Sequence, residues 1–198
     1  VLMKKLIGII AILTIIFIYG CSKQPSSIKA KQDGKPLIVM YGDFKCPYCK
    51  KVEDKVMPKL RNKYIDKNKV KFQYVNLAFI GKDSIIGSRA QQAVNHYAPK
   101  YSLQFQKLMF EHQKDEDKKW ITHTLIDKQI DKLNISNKTK DKIKTNYKTK
   151  NSTSWKAAEK DKKLGKEHHI KQTPTVFIEG KKVKDPYDFS SYQKLLEE

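Results

Sequence analysis

The sequence predicts an α/β fold split by a large helical insertion, on three observations. Pro36-Leu37-Ile38-Val39-Met40-Tyr41 is an almost continuous apolar run, the pattern of a strand covered on both faces at the centre of a sheet. Thr175-Val176-Phe177-Ile178, entered from Pro174 and closed by Gly180, is a second strand far along the chain. From Ser84 to Leu164, between them, the apolar residues fall at helical spacing, over far more chain than one crossover needs.

The remaining elements follow in order. After the first strand, Val52, Val56, Leu60 and Tyr64 recur every four residues and mark one face of a helix, which Pro58 should kink or shorten. Lys71 to Ala78 alternates well enough for a strand, parallel to the first through that helix. Ala90, Ala93, Val94 and Tyr97 form one helical stripe, and Phe105, Leu108, Met109 and His112 a second. Trp120 to Leu133 reads as a third helix, and Ser136 or Asn137 caps a fourth through Ile143 and Tyr147. Lys181-Lys182-Val183 returns from Gly180 as a short antiparallel strand. Tyr187 to Leu196 is the terminal helix, with Phe189, Tyr192, Leu195 and Leu196 inward. Lys114 to Lys119 is a mixed charge run expected as a solvated junction.

Ahead of the fold, Met3-Lys4-Lys5 and the apolar stretch Leu6 to Ile18 read as a signal segment. The stretch is shorter than the roughly 20 residues of a membrane span. The chain carries 41 Lys+Arg against 21 Asp+Glu, for a net charge of +20. Only Arg61 and Arg89 are arginine, so the surface lacks the bidentate donors of sequence-specific nucleic-acid recognition, and no nucleic-acid partner is expected. With Cys21, Cys46 and Cys49 the only cysteines, a small disulfide-framework scaffold is excluded.

Cys46-Pro47-Tyr48-Cys49 sits on the turn from the first strand to the first helix, with Pro47 near the first helical position. Cys46 then faces unpaired backbone N–H groups and the positive end of the helix dipole, which stabilise a thiolate. It is expected to be the exposed nucleophile, and Cys49, one turn further in, the shielded resolving partner. A zinc half-site and an inert structural disulfide compete with redox chemistry. Zinc usually takes four N/S ligands, and there is neither a second cysteine pair nor a histidine pair better placed than the adjacent His168 and His169. No metal is expected, nor any cofactor beyond the Cys46-Cys49 disulfide itself.

The CxxC turn, the Thr173-Pro174 unit opening a strand, and the helical insertion together resemble the DsbA-type thiol–disulfide oxidoreductases of the thioredoxin superfamily. The resemblance implies a thioredoxin-like fold in two parts, 36–80 and 166–198, around an inserted helical domain, 81–165. It also implies a cis bond before Pro174, with Thr173, Pro174 and Tyr48 contacting substrate. The family commonly carries His at the place of Tyr48. Many thioredoxin-like enzymes bury an acid where Met40 stands, so no buried carboxylate is expected beside the thiols; Asp43 is expected in solvent, with Lys45 and Lys50 as flanking surface charges. Ile18-Tyr19-Gly20-Cys21 resembles a bacterial lipobox, implying a signal peptide over 1–20, a lipid on Cys21 and a polar tether over 21–35. The expectation is a monomeric oxidase, lipid-anchored at the extracytoplasmic face of the membrane. It would donate its disulfide to unfolded or reduced secreted proteins and be reoxidised by a redox partner. An extracytoplasmic reductase or isomerase, and a lipoprotein that binds clients or metal without turnover, are the alternatives.

Overall fold

The computed structural model describes residues 28–197; the expected signal segment and Cys21 lie outside them. None of the described helices is long and apolar enough to cross a membrane. Strand β2 (Lys35–Gly42) is the axis of the sheet. It pairs in parallel with β3 (Lys71–Asn76), Met40 opposite Tyr74, and antiparallel with β4 (Thr175–Ile178), Met40 opposite Val176. A hairpin turn at Glu179-Gly180, both with positive φ, leads to β5 (Lys181–Lys182) on β4. A second such turn at Asp33-Gly34 joins β1 (Lys31–Gln32) to the start of β2, so part of the segment expected to be a tether over 21–35 is strand and turn.

Alternation along β2 supplies both faces of the sheet. Ile38 and Met40 enter the larger core with α1 (Pro47–Lys55) and the helical insertion. Leu37, Val39 and Tyr41 enter a smaller core with Val75, Leu77 and partly buried Ile28, Leu164 and Phe177. A strand buried on both faces is why the sequence there is a run rather than an alternation. As expected, Pro58 divides the first helix: α1 ends at Lys55 and a short α2 (Met57–Leu60) follows. With no N–H to donate, proline cannot continue the helical ladder.

The insertion comprises α3 (Ser84–Tyr97), α4 (Ser102–Glu111), α5 (His123–Asp131), α6 (Asn137–Lys148) and α7 (Thr153–Glu167). Ser136 caps α6 by accepting from the Thr139 amide, and Ser152 caps α7 in the same way from Trp155. The third helix begins later than Trp120. The Asp83 carboxylate accepts from the Trp120 and Ile121 amides at 3.0 and 2.9 Å, holding both residues outside the helix, and Thr122 becomes the cap. Helix α7 also packs against β3, so it belongs to the sheet as much as to the insertion. Gly165 makes that close packing feasible, because a Cβ there would run into the Leu77 side chain. The terminal helix α8 (Phe189–Leu196) packs on β4 with Tyr192 buried and its hydroxyl donating to the Pro186 carbonyl at 2.9 Å.

Candidate active site

Cys46 is the N-cap of α1 and Pro47 its first residue, as the turn chemistry predicts. The Cys46 Sγ accepts from the Cys49 amide at 3.3 Å and lies 3.5 Å from the Thr173 carbonyl oxygen. The Thr173-Pro174 bond is cis, and this segment is what closes over the sulfur. Cys46 is therefore not the exposed residue expected: only 3% of it is accessible, whereas Tyr48, between the cysteines, is 60% exposed. The Gln113 side-chain amide braces the turn by donating to the Phe44 and Cys46 carbonyls at 2.7 and 3.0 Å.

The two thiols differ sharply. A hydrogen bond from Cys49 is the main cause that lowers the Cys46 pKa from 9.0 to about 6. Burial opposes it, and the Thr173 side chain and the Cys49 and Tyr48 amides add to the lowering. Burial, then the interaction with Cys46, pushes the Cys49 thiol well above its ordinary value. One sulfur is held as a thiolate near neutral pH and its neighbour as a thiol.

Around the pair, the structure corrects three expectations. Asp43 is fully buried, not solvated. One of its oxygens accepts from the Lys45 amide and the Ser84 hydroxyl at 2.9 Å, the other from the Phe79 and Ile80 amides at 2.9 and 3.0 Å. Four donors replace its water, which makes the burial tolerable. Lys45 is buried as well, its ammonium 2.9 Å from Asp83 and 2.8 Å from the Lys118 carbonyl; Lys50 stays at the surface against Asp54 at 2.6 Å. Burial raises the Asp83 carboxyl, but the Lys45 ammonium and the Ile121 and Trp120 amides carry it below its ordinary value. Third, carboxyls are buried near the thiols despite Met40. Glu53, one helical turn beyond Cys49, accepts from Gln106 at 2.8 Å and has its pKa raised by burial. The only signal for it in the sequence is an acid four residues after Cys49, on the face carrying Val52 and Val56.

His168 hydrogen-bonds the Tyr41 hydroxyl beneath the opposite face of the sheet. No group of three His, Cys, Asp or Glu among the described residues is arranged to hold a metal ion. A stabilised thiolate capping a helix, a shielded thiol one turn on and a cis-proline loop at the sulfur define a thiol–disulfide exchange site.

Residues 28–198 match the thioredoxin family. The chain is 32% identical over 181 residues to disulfide bond formation protein D of Bacillus subtilis, covering 89% of this chain and 79% of that protein. It is 31% identical over 171 residues to probable disulfide bond formation protein D of Bacillus cereus, covering 84% and 75%. Oxidised BdbD from Bacillus subtilis superposes with a TM-score of 0.73 at 30% identity, covering 88% of this chain and 94% of that one. The oxidoreductase NmDsbA1 from N. meningitidis shares the fold at a TM-score of 0.64 and 21% identity, covering 86% and 84%. The chain belongs to the DsbA-like thiol–disulfide oxidoreductases of the thioredoxin superfamily and is a homologue of BdbD.

Proposed function

We propose that this oxidoreductase works as an oxidase, donating the Cys46-Cys49 disulfide to unfolded or reduced secreted proteins. The observation that carries this reading is the opposed pull on the two thiols, with Cys46 brought to about 6 and Cys49 raised. A client thiolate attacks the Cys46 sulfur, and the electron pair of the disulfide goes to Cys49. Burial makes Cys49 take up a proton at once. The client's second thiolate then attacks the client sulfur of the mixed disulfide, and Cys46 leaves as a thiolate. The client loses two electrons and two protons; Cys49 keeps one proton, and above about pH 6 the other goes to solvent. Stabilising the Cys46 thiolate favours the reduced enzyme and makes its disulfide a stronger oxidant. Thr173, Pro174 and the exposed Tyr48 contact the client, and Pro47 starts the helix that stabilises the thiolate.

The enzyme acts as a monomer on the extracytoplasmic side of the membrane, held by lipid on Cys21 after removal of residues 1–20, and a redox partner reoxidises it. Homology to BdbD and the apolar Leu6 to Ile18 segment ahead of Cys21 support this placement. Cys49→Ala should accumulate mixed disulfides with clients, and Cys46→Ala none. Equilibration with glutathione should give a potential well above the approximately −270 mV of thioredoxin. A value near thioredoxin's would make the enzyme a reductase.

A further inference from the structure

We infer that the enzyme selects client segments in which acidic residues flank the reactive cysteine. The inference rests on the oxidase reading of the same site. A groove of about 370 Å³ opens beside the thiols, lined by Tyr48, Thr173, Pro174, Lys182, Lys184 and Tyr187 among others. One wall is the segment whose Thr173 carbonyl lies 3.5 Å from the Cys46 sulfur. A client cysteine that reaches Cys46 therefore carries its neighbouring residues into this groove.

The groove carries an excess of positive charge. Elsewhere the lysine excess is partly answered: Lys63 faces Glu197 at 2.9 Å, Lys144 faces Asp131 at 2.6 Å and Lys148 faces Asp127 at 2.5 Å. Lys182 and Lys184 are exposed and have no carboxylate within ion-pair distance among the described residues. Lys51 joins them at the rim, its ammonium 4.4 Å from the centroid of the Tyr187 ring. One acid stands near, Asp185, which accepts from the Tyr187 amide at 2.8 Å and offsets only part of the positive charge. Two exposed lysines thus line a groove with aromatic walls and a third stands against its Tyr187 wall, and an acidic extended segment answers that excess of positive charge. A basic segment meets like charges without compensation.

The test uses the oxidised full chain and three reduced two-cysteine peptides that differ only in whether Asp, Ser or Lys flanks the cysteines. The rate of reduction of the Cys46-Cys49 disulfide should run Asp over Ser over Lys. The span should be about tenfold at low salt and shrink as salt screens it. In Lys182→Glu/Lys184→Glu the order should reverse, and in Lys182→Gln/Lys184→Gln the span should narrow. The charge-matched pair Lys67→Glu/Lys69→Glu, before β3 at the far end of the sheet, should keep the wild-type order. Equal rates for the three peptides, or an equal loss of preference in the far pair, would overturn the inference and leave the oxidase reading intact. Failure of every peptide to reduce the disulfide would overturn both.

Discussion

Melting the reduced and oxidised proteins side by side across pH isolates the Cys46 thiolate. In the folded reduced protein its pKa is about 6, against an ordinary 9.0. A depressed pKa stabilises the fold in full above the unfolded value, and that stability is lost as pH falls through the folded one. At about 1.36 kcal/mol per unit, the reduced fold is favoured by about 2.7 kcal/mol at pH 8, about 1.4 at pH 7 and close to nothing at pH 5. Cys49, raised by burial, is protonated in both folded and unfolded chains over this range and adds nothing. Glu53 and Asp161 titrate in both redox forms and largely cancel in the difference. The disulfide adds a constant offset, so the slope carries the test rather than the sign at one pH. Urea melts of both forms between pH 5 and 8 should show their difference moving by about 2.7 kcal/mol toward the reduced form. A difference that stays flat would mean that Cys46 is not a stabilised thiolate, and the oxidase argument would lose its support.

Other outcomes follow from the packing around the site. Burial raises Asp161 from 3.8 to about 7, so ionisation costs the fold stability as pH rises from 4 toward 7. Asp161→Asn keeps an oxygen for the Asn76 amide and the Gln92 side chain, and at pH 8 should raise stability by at most about 4 kcal/mol, with no increase at pH 4. Phe44→Ala empties a fully buried site between Tyr74, Phe105 and Phe110 and should cost about 3–5 kcal/mol in denaturant melts. Lys45→Met strands the buried Asp83 charge and should cost about 3 kcal/mol, much of it recovered when Asp83→Asn is added.

Periodicity and turn chemistry made the backbone legible. The β2 run, the Pro58 break, the Ser136 cap and the Glu179-Gly180 hairpin each announce themselves within a few residues of sequence. The start of α5 did not, because Trp120 and Ile121 are anchored through their amides to Asp83, distant in sequence, and the helix starts only after the Thr122 cap. The cysteine pair was legible for the same local reason, as a capping position followed by proline. Its surroundings were not. Asp43 and Lys45 read as solvated because each is charged and next to a strand end; what makes their burial tolerable is a set of partners that includes Phe79, Ile80 and Ser84 for the carboxylate and Asp83 and the Lys118 carbonyl for the ammonium. Exposure of Cys46 was misjudged for a related reason, since the segment that covers it arrives from the far end of the chain.

The Asp43–Lys45 corner has an architectural consequence. Ser84, Asp83, Gln113 and the Lys118 carbonyl all come from the insertion, and all grip the four residues ending at Cys46. The helices are therefore not a decoration hung on a self-sufficient redox core. A chain trimmed of 81–165 to resemble a minimal thioredoxin would strip the Lys45 ammonium of both its acceptors and Asp43 of one of its four donors, beneath its own reactive turn. The reactive turn thus takes its rigidity from the helices as much as from the sheet it grows out of.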